Sequence, residues 1–119
     1  MDPEWILYQT NVKGACVGEG EIPLYNLLNN IDNKQDISNT EGFWWHHIDG
    51  KVKKNPPPQF ISDLSTLNFP DYSLFDRNDA CHEGKLLVML SMGCPYNCHY
   101  CCNRALAGVY SSTGGYFRL

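Results

Sequence analysis

Four of the six cysteines fall between Cys94 and Cys102, and no other feature of the sequence restricts the fold as much. Cys94, Cys98 and Cys101 are spaced C-x3-C-x2-C directly behind Gly93, so their thiols must share one short loop. The run 85–91 before them is apolar and reads as a buried strand, and 103–108 after them reads as a brief helix. Cys16 and Cys81 stand apart from this group. A secreted disulfide framework spreads its cysteines out, and the opening Met1-Asp2-Pro3-Glu4-Trp5 is acidic with no apolar signal core. Clustered thiols in a reducing compartment point to metal or redox chemistry.

The spacing suits an iron–sulfur cluster. A [4Fe–4S] cube takes thiolates on its irons. Three closely spaced cysteines can hold three irons and leave the fourth open to an external chelator, such as the amino and carboxylate groups of S-adenosylmethionine (SAM). Electron transfer from the reduced cluster then cleaves the sulfonium and yields a carbon radical, while the protein orients the reactants and excludes water. Zinc is the competing reading. It needs four ligands, commonly as two pairs, and His99, Cys102 or His82 would have to complete the set. No second ligand pair with the usual zinc-ligand spacing is present. Cys102 adjoins Cys101 and is read as a non-ligand.

Charge and hydropathy exclude other classes. The formal net charge is −4, and the one short basic run, at Lys51, Lys53 and Lys54, is broken by Val52 and followed by prolines, so direct nucleic-acid binding is not favoured. The longest strongly apolar run, 86–90, falls far short of the ~20 residues of a membrane helix. A chain of this kind is expected to be soluble and cytoplasmic, with no membrane partner.

Upstream of the loop the chain reads in two sections. In the first, 1–31, a short helix at 5–8 and a strand at 12–17 precede the break Gly18-Glu19-Gly20-Glu21. A helix then starts near Pro23, with Ile22, Leu24, Leu27 and Leu28 as its buried face. This resembles the last strand, turn and helix of an α/β unit. Gly18 and Gly20 would let the backbone approach a cofactor closely. The glutamates suit a helix N-terminus. The second section, 32–83, is a linker. Asp49-Gly50 between 42–47 and 51–54 signals a hairpin. Pro56-Pro57-Pro58 stiffens the connection, residues 63–67 form a single turn, and Pro70-Asp71-Tyr72 makes another. Phe60, Phe69, Tyr72 and Phe75 are its expected aromatic anchors. In Trp44-Trp45-His46-His47, alternation packs one tryptophan inward and leaves the histidines solvated.

The loop, with aromatic Tyr100 before its last cysteine, resembles the signature of the radical SAM superfamily. The order of Gly18-Glu19-Gly20-Glu21, then Phe69-Pro70-Asp71-Tyr72-Ser73-Leu74-Phe75, then Ser91-Met92-Gly93-Cys94 is similar to its cobalamin-binding branch. That resemblance implies an α/β architecture in three parts: the end of a cobalamin-binding Rossmann-like domain at 1–31, a linker at 32–83, and the first strand and cluster loop of a (β/α) barrel at 84–119. It also implies a [4Fe–4S] cluster and SAM as cofactors, with cobalamin as a third. Cys94, Cys98 and Cys101 would be metal ligands, and Tyr100, Gly18 and Gly20 cofactor-contacting residues. The expected partners are a small-molecule substrate and a reductant protein such as flavodoxin or ferredoxin. Tyr96 and Tyr100 would shield the cluster, and Arg104 is either a carboxylate ligand or a surface residue. Met92 stands where many members carry arginine, and the Asp-x-His-x-x-Gly loop of the cobalamin domain is absent. A barrel of this kind takes ~200 residues or more, so the chain is expected to be a fragment with little turnover alone, its barrel completed elsewhere or by a partner chain. A non-catalytic iron–sulfur electron carrier and a small zinc-binding interaction protein remain the alternatives.

Overall fold

The computed structural model describes residues 2–46, 49–74, 81–82, 85–86, 88, 90–111 and 116–119. They form two compact units, Met1–Gln59 and Phe60–Leu119.

The first unit begins with helix α1 (Pro3–Gln9). Asp2 caps it by accepting the Glu4 N–H, and Pro3 sits where a missing N–H costs nothing. Thr10 ends it, its N–H and its hydroxyl both donating to the Ile6 carbonyl. Strand β1 (Gly14–Cys16) leads into helix α2 (Glu21–Asp32), with Gly20 at the N-cap and Pro23 in the first turn, where its missing N–H would have had no helical partner. At the far end Lys34 turns left-handed at φ 55, while Lys34 N–H donates to Ile31 and Gln35 N–H to Asn30. This is a Schellman closure made without glycine. A 3₁₀ turn at Ile37–Asn39 then delivers the chain to β2 (Phe43–His46) and β3 (Val52–Lys54).

The sheet order is β1-β2-β3, antiparallel throughout, with Ala15 opposite Trp44 and Trp45 opposite Lys53. The hairpin expected around Asp49-Gly50 is present, with Gly50 at φ 80 and the Asp49 side chain accepting the Lys51 N–H. His47 and Ile48 lie outside the described residues. Alternation along β2 places Phe43 and Trp45 together, their rings stacked 5.3 Å apart. The other face meets α1: His46 lies edge-on to Tyr8, Lys54 bonds Glu4 and sits 4.7 Å over the Trp44 ring, and Leu7 is 1% exposed. His46 is solvated, as alternation implied.

The chain is therefore mixed α/β, built on a three-stranded antiparallel sheet. No parallel pair, the pairing of Rossmann-like and barrel sheets, occurs among the described strands. The buried face expected for α2 is also revised: Pro23 is buried, but Ile22, Leu24 and Leu28 are exposed. A helical stripe fixes which residues share a face, not what covers it.

The described residues of the second unit are mostly irregular. The turn expected at 63–67 is a 3₁₀ segment, Leu64–Thr66, capped by Asp63; a similar one, Tyr72–Leu74, follows Asp71. Phe60 anchors as expected, but Phe69 is 93% exposed and Tyr72 is exposed as well; Phe75 lies outside the described residues. Strands β4 (Cys81–His82) and β5 (Lys85–Leu86) pair antiparallel. Of the buried strand expected over 85–91, β5 covers the start, and Val88 and Leu90 are exposed. Helix α3 (Cys102–Val109) follows the cysteine loop, one residue longer at each end than expected. No helix among the described residues is long and apolar enough to cross a membrane.

Candidate functional site

The cysteine loop is held at both ends. On its entry side Met92 and Arg118 form an antiparallel bridge, with N–H to carbonyl distances of 3.0 and 2.9 Å. Gly93 follows at φ 81 and turns the chain into Cys94. On its exit side the Cys101 N–H donates to the Cys98 carbonyl, and the Arg104 N–H donates to the Cys101 carbonyl. Cys101 is the N-cap of α3, so the last two cysteines of the triplet share one tight turn that runs into the helix. The open N–H groups and dipole at that helix end attract negative charge.

Cys98 is exposed and Cys94 and Cys101 are half-buried, and all three carry free thiols, as does exposed Cys102. In donor chemistry they fit an iron–sulfur cluster: three sulfur ligands, accessible, on a single loop. Among the described residues no three Cys, His, Asp or Glu side chains are gathered closely enough to hold a metal ion. Tyr96 and Tyr100 both project into solvent, Tyr100 with 93% of its surface exposed.

Beside the loop lies an open cleft of about 480 Å³. Cys94, Pro95, Tyr96 and Asn97 form one side of it, while Arg104, Ala107 and Gly108 come from α3 and Tyr116 and Phe117 from the segment after it. An aromatic cluster fixes this last segment. Tyr110, 2% exposed, stacks on Tyr116 at 5.9 Å and packs against Phe60 at 5.3 Å. The buried Arg118 guanidinium lies 4.2 Å over the Phe60 ring. Nothing in the local sequence pattern marks Tyr116 or Phe117 as cleft residues, because the Met92–Arg118 bridge that brings them there is long-range.

Gly18 and Gly20 belong to the other unit, in the turn from β1 to α2. Gly18 adopts φ 101, a left-handed conformation that a side chain would strain, and Gly20 caps the helix. Glu19 between them is buried, and the Cys16 thiol donates to its carbonyl at 3.9 Å. Burial pushes the Cys16 thiol pKa up, and the Glu21 charge adds to the shift.

No protein-family model matches the chain, and no solved structure gives a significant match. Two curated proteins are similar at low identity. One is an uncharacterized methyltransferase of Pyrococcus horikoshii, 29% identical over 86 residues, which is 71% of this chain and 18% of the relative. The other is the anaerobic magnesium-protoporphyrin IX monomethyl ester cyclase of Synechocystis, 27% identical over 90 residues, which is 73% of this chain and 18% of the relative. The chain thus spans less than a fifth of the length of either. Both relatives are named as enzymes, which is consistent with an enzyme family.

Proposed function

We propose that this chain is the cluster-binding segment of a radical SAM enzyme, with Cys94, Cys98 and Cys101 as the ligands of a [4Fe–4S] cluster. The observation that carries the proposal is the loop itself: three free thiols on one short loop, two of them in a single turn, pinned by the Met92–Arg118 bridge at one end and by α3 at the other. Similarity to a methyltransferase and a cyclase supports SAM chemistry of this broad kind. When bound, the cluster and the SAM on its open iron supply the electron and the sulfonium for reductive cleavage.

The chain's own residues do the rest. Gly93 gives the sharp turn that presents Cys94 to the cleft, and the Cys98–Cys101 turn sets the spacing of the other two thiols. Tyr100 stands beside the third ligand as a cofactor-contacting side chain. The cobalamin-associated branch is part of the proposal, with the left-handed turn at Gly18 and Gly20 as the close-approach point for that cofactor. A small-molecule substrate, a flavodoxin- or ferredoxin-type reductant and the remainder of a (β/α) barrel lie outside this segment. Methyl transfer and ring closure are the reaction classes that the names of the relatives suggest.

Anaerobic reconstitution with iron and sulfide, followed by EPR of the reduced protein, tests this. A [4Fe–4S] signal that changes on adding SAM and disappears in Cys98→Ala is expected. Stoichiometric zinc in place of a cluster would overturn the reading in favour of a zinc-binding protein.

A further inference from the structure

Arg104 stands at the third position of α3, and Ala107 and Gly108 follow one turn later on the same face of the cleft. Small side chains there leave open space beside the guanidinium; a Cβ built on Gly108 meets nothing within 4 Å. Asn97, with an amide donor, and the Tyr116 ring also line the cleft, next to Cys94. No lining residue is acidic. Among the described residues Arg104 makes no ion pair, in contrast to Lys51 with Asp49 and Lys54 with Glu4. Among the described residues the cleft therefore presents one cation with no acidic partner, of the forked kind that donates two parallel hydrogen bonds to a carboxylate. A dianionic phosphate would call for more than one such charge, and the lining supplies one.

We infer that Arg104 binds a carboxylate in this cleft and thereby selects carboxylate-bearing ligands at the cysteine loop. The catalytic meaning of this inference rests on the iron–sulfur reading, since it places the anchored group beside Cys94. Two sources share the chemistry: the amino-acid tail of SAM and a carboxylate of the substrate.

The test uses the whole chain, labelled with ¹⁵N and titrated with sodium acetate against sodium chloride of equal ionic strength. A saturable shift of the Arg104 Nε–H signal is expected, with the backbone amides of Asn97 and Gly108 moving in parallel. Affinity should fall at least about tenfold in R104Q and recover in part in R104K. Arg104 is exposed, so both variants should keep the wild-type dispersion elsewhere in the spectrum. An unsaturable response, an equal response in R104Q, or tighter binding of inorganic phosphate than of acetate would overturn the inference. Competition by SAM but not by decarboxylated SAM would assign the site to the cofactor tail; indifference to both would assign it to the substrate. Cluster formation is read separately by visible absorption. Acetate binding in a chain that forms no cluster would sink the iron–sulfur proposal and leave the carboxylate site standing.

Discussion

Gly93 and Tyr116 meet backbone to backbone: a Cβ placed on Gly93 would stand 2.1 Å from the Tyr116 carbonyl oxygen. Atoms do not approach that closely, so glycine is required here for its size as well as for its φ of 81. The contact sits beside the Met92–Arg118 bridge, and it ties the first cysteine of the loop to the aromatic wall of the cleft.

Gly93→Ala should therefore destabilise the second unit. A left-handed non-glycine residue and a backbone overlap together predict a loss of about 2 kcal/mol or more. Urea unfolding measures it, and amide exchange at Met92 and Arg118 locates it. An unchanged unfolding midpoint would mean that the bridge is not formed as described.

Phe60 carries a second prediction. It packs against Tyr110 and lies beneath the Arg118 guanidinium, so Phe60→Ala removes both an apolar contact and a cation–π partner. Because Phe60 is only half-buried, the expected cost is about 2 kcal/mol, below that of a fully buried phenylalanine. Phe60→Leu should lose less, since it refills most of the volume. Equal urea midpoints for the two variants would show that the refilled apolar volume contributes nothing, and a Phe60→Leu midpoint equal to wild type would show that the ring face over Arg118 contributes nothing.

The acid limb of stability is predicted by the turn caps. Asp36 accepts the Ser38 N–H at 2.8 Å, the Ser38 hydroxyl at 2.9 Å and the Asn39 amide at 2.9 Å. These bonds, the Ser38 N–H foremost, hold its carboxyl pKa below the ordinary range, with Lys53 adding its charge. Asp63 and Asp71 are lowered in the same way by Ser65 and Ser73. A carboxyl with a depressed folded pKa stabilises the fold above its unfolded pKa of about 3.9, and that contribution is lost as pH falls through the folded value. The urea midpoint should thus drop on acidification below about pH 4, and the drop should be shallower in Asp36→Asn. An Asp36 carboxyl titrating at or above 3.9 by NMR would contradict the cap geometry.

Short-range chemistry was legible in the sequence wherever one side chain decides a backbone turn. Asp49-Gly50 closes the hairpin, and the turn read at 63–67 is present with Asp63 as its cap, whereas the helix read at 5–8 starts earlier, at Pro3, because Asp2 caps it. The cysteine spacing likewise placed three thiols on one loop. What stayed hidden depends on contacts distant in sequence. The antiparallel pairing of β1 with β2 follows from where α2 and the Ile37–Asn39 turn return the chain, and no periodicity records that. The exposed Leu24, Leu28, Val88 and Leu90 were apolar enough to read as core, because pattern reports affinity for a covering surface without supplying it. Arg118, a charged residue, is buried among aromatic rings instead. Two of the cleft's nine lining residues, Tyr116 and Phe117, come with it, which is why Arg104 could be read from sequence as a carboxylate ligand or as a surface residue.

Thiol reactivity separates the ligand assignment from mere exposure. Thiolate is the reactive form, and the raised pKa of Cys16 keeps its thiol protonated to higher pH. The sign follows: the folded state favours the neutral thiol, a stabilisation present below the unfolded pKa of about 8.5 and lost as pH rises through the folded value. Although Cys16 is exposed, iodoacetamide near pH 8 should alkylate it more slowly in the folded protein than in the urea-unfolded chain, as followed by peptide mass spectrometry over time. Anaerobic loading with iron and sulfide should then remove Cys94, Cys98 and Cys101 from the labelled set. Cys102 should keep reacting although it adjoins Cys101, because as the first residue of α3 it lies within the helix, whereas Cys101 is its cap. Protection of Cys102 with Cys101 left reactive would move the third ligand by one position and break the C-x3-C-x2-C assignment. Uniform protection of all four would point to burial by folding around the loop and not to ligation by three of them.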